Sequence, residues 1–399
     1  YMRGHHEENQ TRFYMCFAVA IFGAMGVAFA GNVFTLFVFY EVITLSTYPL
    51  VTHHGTEAAK KAGRVYLGIL MGTSVAFLLL ALVWTYWAVG TTDFRVGGIL
   101  AGKVSHRELI ILLALYVFGT GKAALMPFHR WLPAAMVAPT PVSALLHAVA
   151  VVKAGVFTVL KILVYVFDID LLATTGASRW LTWVAAFTIL AASIIALTKD
   201  NLKARLAYST VSQLSYIVLG GALATSAGVL GGGMHIAMHA FGKITLFFCA
   251  GAILVGAHKS EISQMDGLGR RMPFTFGAFF IGSLSVIGLP PTGGSWSKWF
   301  LVLGAVEAET RVMVLVLMAS SLLSIGYLMP VVGRAFFRPL PDDDAHGTED
   351  HGEGTAPAAQ GIREAPLLCV LPPVFTAVCC IVLFFFAEGI YELLTGIVP

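Results

Sequence analysis

Six ionisable residues stand where an apolar chain has least reason to keep them. Lys122, Lys153, Lys161, Lys243 and Lys298 each fall inside a long apolar run, and Glu41 is the carboxylate that lies at the middle of one. Burial disfavours a charged amine and a nearby carboxylate restores it, so a buried lysine whose carboxylate approaches and withdraws takes up and releases a proton near neutral pH. Glu41 is the mid-run candidate for that carboxylate. His235, His239 and Lys243 recur every four residues. On a helix they drift about 40° per step and make one polar stripe about 12 Å long, suited to passing protons through intervening water. A lone histidine in such a run is more often a hydrogen-bonded core residue, the reading weighed for His147, but three titratable groups in register favour a relay. Lys122 and Lys243 have the most apolar sequence on both sides, followed by Lys153 and Lys298. Lys161 is near the end of its run, with Tyr165 beyond it, and reads as a snorkelling residue.

The elements that must position these groups are transmembrane helices. Only 12% of the 399 residues are charged and 57% are hydrophobic, against about 25% charged in soluble domains. The net charge of +3 is spread in short clusters, so a nucleic-acid partner is not expected. Eleven apolar windows are long enough to span a bilayer: 12–30, 32–51, 64–89, 107–128, 141–168, 179–198, 205–226, 230–257, 273–305, 311–334 and 366–395. They are continuous rather than alternating, which excludes a β-barrel and predicts an all-α polytopic membrane protein. A charge at mid-bilayer costs roughly 2.5 to 3.5 kcal/mol, so the six buried groups need pairing, hydration or a protein-facing position.

Fifteen Lys and Arg residues flank the windows on the N-terminal side and five on the other. The positive-inside rule then puts the N-terminus (segment 1–11) in the cytoplasm and, with eleven spans, the C-terminus outside. Blocks 12–168 and 179–334 hold five windows each, an odd number, which predicts two inverted repeats. The fourth window of each block is punctuated beside its lysine, by Gly121 to Pro127 in the first and by Pro290, Pro291, Gly293 and Gly294 in the second. Broken helices at corresponding depth point to an ion pathway. Segment 335–365 is rich in Asp and Glu and reads as a solvated cytoplasmic linker, and 366–399 supplies the last span. The stripe lacks the H-E-x-x-H pattern and a third ligand, so no metal site is expected. Without a phosphate-binding loop or a haem or iron–sulfur cysteine pattern, no cofactor is expected either.

The runs FYEVITLSTYPLV around Glu41, GKAALMPFHRWLPAAMVAPTPVSALLHAVAVVKAGVF from Gly121, KDNLKARLAYSTVSQLSYIVLG from Lys199, HIAMHAFGKITLFFCAG from His235 and GLPPTGGSWSKWF from Gly288 resemble the antiporter-like subunits shared by respiratory complex I, membrane-bound hydrogenases and Mrp-type multisubunit cation/proton antiporters. The resemblance covers nearly the whole chain and is nearest to the Mrp type, in its D-type member. It implies that Glu41 is the carboxylate of the family's fifth helix, Lys122 the lysine of its broken seventh, and His147 and Lys153 titratable positions of its eighth. His235, His239 and Lys243 then match the eleventh-helix relay, and Lys298 the charged position of the broken twelfth. Family members have fourteen helices, so the eleven windows correspond to the fourth to the fourteenth, with three preceding. The implied function is proton translocation coupled to export of a monovalent cation, with Na+ the expected one, inside a complex of other membrane subunits in a bacterial inner membrane. The alternative is the proton-pumping arm of a complex I-like NADH:quinone oxidoreductase or a membrane hydrogenase.

Overall fold

The computed structural model describes residues 1–3, 7–340 and 361–397. The central part of the expected acidic linker, 341–360, lies outside the described residues. Among those described, no strand forms. Apart from short turns of helix such as Trp131–Ala134 and Ile169–Thr175, the helices are α1 (Gln10–Phe29), α2 (Val33–Val51), α3 (Glu57–Val89), α4 (His106–Gly119), α5 (Thr140–Phe167), α6 (Arg179–Leu197), α7 (Leu202–Ala222), α8 (Ser226–Ala257), α9 (Pro273–Ile287), α10 (Gly294–Glu307), α11 (Arg311–Phe337), α12 (Leu367–Phe385) and α13 (Ala387–Thr395). Each expected window contains at least one of them. Eight of the described helices are individually long and apolar enough to cross a membrane, so length and composition alone do not reach the count of eleven. Of the other three windows, two are split: 107–128 contains α4 from its second residue and then a break, and 273–305 is divided into α9 and α10. The third holds α7, a helix of 21 residues with many polar side chains.

Side-chain caps start five of these helices, satisfying amides that no intrahelical carbonyl can reach. The Asn32, Thr56, Asn201 and Thr225 side chains accept from the backbone N–H groups of Thr35, Ala59, Ala204 and Gly228, and Ser105 with Glu108 forms a capping box before α4. Glu364, inside the expected linker, does more than tether: its carboxylate accepts from the amides of Phe274 and Thr275 and from the Thr275 hydroxyl, closing the start of α9. The polarity of the bundle is that of a lipid-embedded protein. Large apolar side chains such as Phe29, Trp87, Leu322 and Leu368 face outward, while Lys122, His147, Gln213, His235 and Lys243 are inside.

Two features of the packing place the polar groups. In α5 the turn Leu145–Val149 is π-helical, with the Ala150 amide donating to Leu145 O, so an extra residue is accommodated beside His147 and before Lys153. At both breaks the freed backbone groups find partners in neighbouring helices, the condition for irregular backbone at membrane depth. Trp131 Nε1 donates to Gly121 O at 2.9 Å, and the Lys122 amide donates to the Tyr40 hydroxyl at 3.0 Å. At the second break the Gly293 amide donates to Cys380 O at 2.9 Å.

Candidate functional site

Lys122 is fully buried in the first break. Its ammonium donates to Tyr40 O at 2.8 Å and to Thr44 Oγ1 at 2.6 Å, and lies 3.1 Å from the centre of the Tyr40 ring. All three contacts come from α2, from the residue just before Glu41 and from one about a turn after it. Glu41 makes no ion pair with Lys122 within 4.0 Å; both its carboxylate oxygens are buried without a hydrogen-bond partner. The expected Lys122–Glu41 pair is therefore adjacent in the fold but open in this conformation. The Tyr40 carbonyl and Thr44 hydroxyl hold the amine instead, because α2 offers them on the face that meets the break.

Lys153 and His239 are brought together from the two halves of the chain. Lys153 Nζ lies 2.7 Å from His239 Nδ1, joining α5 to α8. Lys153 also lines a cavity of about 270 Å³ between α1 and α5, whose wall includes Val149, Phe157 and Ile236. His147, one π-turn before Lys153, has both ring nitrogens buried without a hydrogen-bond partner and stacks obliquely on Phe247 at 4.8 Å. His239 keeps a buried, unpartnered Nε2.

The stripe His235, His239, Lys243 exists on α8, but it is not a chain of nitrogen-to-nitrogen contacts. The two imidazoles lie nearly face to face, 5.7 Å apart with 19° between their planes, so their nitrogens do not point at each other. His235 is held on both sides, by Ser297 Oγ at 2.9 Å and by Gln213 Oε1 at 3.0 Å. Lys243 Nζ donates to Ser209 Oγ at 2.6 Å and to Leu206 O at 3.3 Å. Beside the second break, Lys298 Nζ donates to Ile287 O at 2.9 Å and to Ser321 Oγ at 3.1 Å, and lies 4.8 Å from the Tyr216 ring centre. Lys298 thus closes the carbonyl that the break frees, much as Trp131 closes Gly121 in the first break.

Lys161 stands apart from this set. It is partly exposed and donates to Ala30 O at 2.7 Å beside the rings of Phe94 and Phe157, so its amine serves the last carbonyls of α1 rather than the buried line. The sequence reading did not single out Tyr40, Thr44, Ser209, Gln213, Ser297, Ser321 or Tyr327. The signal for two of them, Ser209 and Gln213, was the polar content of α7, whose core segment AYSTVSQLSY is almost wholly buried.

With this geometry in place, comparison with known proteins assigns the chain. The pattern of the family described as NADH:quinone oxidoreductase/Mrp antiporter, TM, matches residues 30–324. The chain belongs to this family. It is 35% identical over 395 residues to NADH-quinone oxidoreductase subunit N of Desulforudis audaxviator, covering 98% of this chain and 77% of the relative. It is 34% identical to NAD(P)H-quinone oxidoreductase chain 5 of a Synechocystis species, covering 73% of this chain but less than half, 44%, of that relative. Among solved structures it resembles a chain of the Mrp complex from a Dietzia species, with a TM-score of 0.81 and 25% identity over 95% of this chain and 76% of that one. Membership in the family establishes a polytopic, all-helical membrane subunit. The relative named subunit N matches over nearly the full chain, so the expected assignment to the Mrp D-type member has no preference over the quinone oxidoreductase type.

Proposed function

We propose that the chain is a proton-translocating membrane subunit, with a line of buried groups running from Glu41 and Lys122, past His147, Lys153 and His239, to Lys243 and Lys298, and with His235 standing beside it. The observation that carries this reading is the contact between Lys153 Nζ and His239 Nδ1 at 2.7 Å. It joins the two five-helix blocks at a point where a lone amine would be costly to keep. An amine and an imidazole in contact can hold one proton between them, so the pair is a transfer point and not merely a packed polar couple. Lys122, with its carboxylate neighbour open, is the switch: closing Glu41 onto the amine holds its proton, and opening the pair releases it towards Lys153.

The driving partner decides between two forms of the function. In the first, the chain is part of a multisubunit antiporter that exchanges protons for a monovalent cation, Na+ being the expected one; the likeness to the Mrp complex chain supports it. In the second, partner subunits reduce quinone and this chain is their proton-pumping arm; the relative named NADH-quinone oxidoreductase subunit N supports it. We place the chain in a bacterial inner membrane, N-terminus in the cytoplasm, its two blocks inverted with respect to each other. Purifying the complex from its own membranes separates the two forms: copurifying flavin or iron–sulfur clusters identify the redox complex, and their absence together with Na+-dependent proton exchange identifies the antiporter. In either complex, Lys122→Ala and Lys153→Ala variants in everted vesicles should lose proton transport while still assembling. Transport at the unsubstituted rate by both variants would refute the function itself.

A further inference from the structure

The histidine stripe does not connect Lys243 to Lys298, and another set of side chains nearly does. Ser209, which accepts from Lys243 Nζ at 2.6 Å, lies 2.9 Å from the Tyr327 hydroxyl, and that hydroxyl lies 2.9 Å from Ser324 Oγ. These groups come from α7 and α11 and are fully buried. One turn further along α11, Ser320 meets Ser193 Oγ at 3.1 Å and Ser212 Oγ at 3.4 Å, hydroxyls from α6 and α7. The Tyr216 hydroxyl donates to Leu317 O at 3.3 Å near the Ser320 and Ser321 side chains, and Ser321 accepts from Lys298 Nζ at 3.1 Å. Hydroxyls from α6, α7 and α11 thus stand between the two lysines. By contrast His235 has both nitrogens engaged and its ring lies nearly parallel to that of His239.

We infer that Ser209, Tyr327 and Ser324 pass protons between Lys243 and the Lys298 end of the site, a hydroxyl route separate from the histidines. This rests on the proposed function and adds the carriers of its last step. The transfer is concerted. As the Lys243 ammonium gives a hydrogen to Ser209 Oγ, Ser209 gives its own to the Tyr327 oxygen, Tyr327 gives its own to Ser324, and Ser324, already turned from the Ser320 carbonyl, gives its own through the Ser320 and Ser321 hydroxyls to a neutral Lys298. Each O–H bond that forms is matched by one that breaks, so no charge rests on a hydroxyl and Lys243 is left neutral. Ser324 donates to Ser320 O at 2.9 Å in this conformation; a rotation about its Cα–Cβ bond, or one bridging water, turns its hydrogen towards the Ser320, Tyr216 and Ser321 hydroxyls and so to a neutral Lys298. The hydroxyls then rotate back before the next proton. Within this scheme His239 serves Lys153, and His235 is fixed by Gln213 and Ser297.

The test uses the assembled complex in proteoliposomes, with proton movement driven by whichever gradient or electron donor drives the unsubstituted complex. Tyr327→Phe keeps the ring and removes the hydroxyl, and Ser324→Ala does the same for the smaller group. Each should slow proton movement about tenfold or more. Ser324→Thr, which keeps a hydroxyl, should restore most of the rate, a rescue that a purely packing role would not give. Should Tyr327→Phe fail to assemble, the Ser324 pair decides. The inference falls if Ser324→Ala moves protons at the unsubstituted rate, or if Ser324→Thr is as slow as Ser324→Ala, while Lys243→Ala is inactive. Full activity of Lys243→Ala would instead overturn the proposed function, and the hydroxyl route with it.

Discussion

At the scale of single residues, what separates the buried lysines is the kind of oxygen or nitrogen each amine meets. Lys122, Lys243 and Lys298 each end on a carbonyl and a hydroxyl, Lys122 and Lys298 beside a ring as well, and Lys153 ends on an imidazole. Carbonyl and hydroxyl oxygens accept from an ammonium but take up no additional proton at neutral pH, whereas the imidazole can hold one. Lys153 is therefore the amine whose proton has somewhere to go without a conformational change. Replacing His239 by Gln keeps a polar side chain in the slot and removes the titratable ring. Proton transport should fall by about tenfold or more, or ~1.4 kcal/mol of barrier. Lys161→Ala, by contrast, should stay within about twofold of the unsubstituted rate, since its amine closes α1 carbonyls at the edge of the bundle. Dye-quench assays in everted vesicles read both. Equal loss in the two variants would mean that Lys161 belongs to the line.

At the scale of elements, the sequence exposed the helices and hid their breaks' supports. Apolar runs set the helix positions because the solvent is lipid, and α1, α2, α6 and α8 begin within about four residues of their windows. Glycine and proline marked both breaks for the same local reason. Which side chains would repair them was not legible, since Tyr40 and Trp131 reach Lys122 and Gly121 through space rather than along the chain. The π-turn around His147 was equally hidden, because nothing in LLHAV distinguishes it from an ordinary helical turn. Nor could the spacing of His235 and His239 reveal that their rings stack instead of bonding. Each break is also braced by a glycine of close approach. A Cβ on Gly155 of α5 would strike the backbone of Lys122 and Ala123, and one on Gly294 would strike the carbonyl of Ser285. Gly155→Ala should therefore destabilise the complex by about 1 to 3 kcal/mol, the usual cost of overpacking, and shift Lys122. Gly72→Ala, where an added methyl meets nothing within 4 Å, is the control and should melt with the unsubstituted protein. Thermal melting of the solubilised complex reads the difference; coincident curves for the two variants would remove the bracing role.

At the scale of the whole molecule, the proposed inversion of the two blocks is a matter of counting crossings. A helix that enters from one side leaves on the other, so an odd number of spans in the first block turns the second upside down. The same parity fixes where any two loops lie. Between the exposed residues Lys103 and Gln264 the chain passes through the windows 107–128, 141–168, 179–198, 205–226 and 230–257, which are five crossings if the broken one spans. The two loops must then face opposite sides, with Gln264 on the side that collects Arg270, Arg271, Arg334 and Arg338, the cytoplasm by charge. Lys103→Cys and Gln264→Cys report this directly. The chain's own five cysteines all lie in helices, three of them buried, so the unsubstituted protein gives the labelling baseline. A membrane-impermeant maleimide added to intact cells should label Lys103→Cys, and should reach Gln264→Cys only after the membrane is opened. Labelling of both from the same side would make the number of crossings even, which would mean that the broken α4 region turns back without spanning and that the two blocks are not inverted copies. Labelling of Gln264→Cys alone in intact cells would keep the inversion and reverse the orientation, so that the proposed line would face the opposite proton reservoirs.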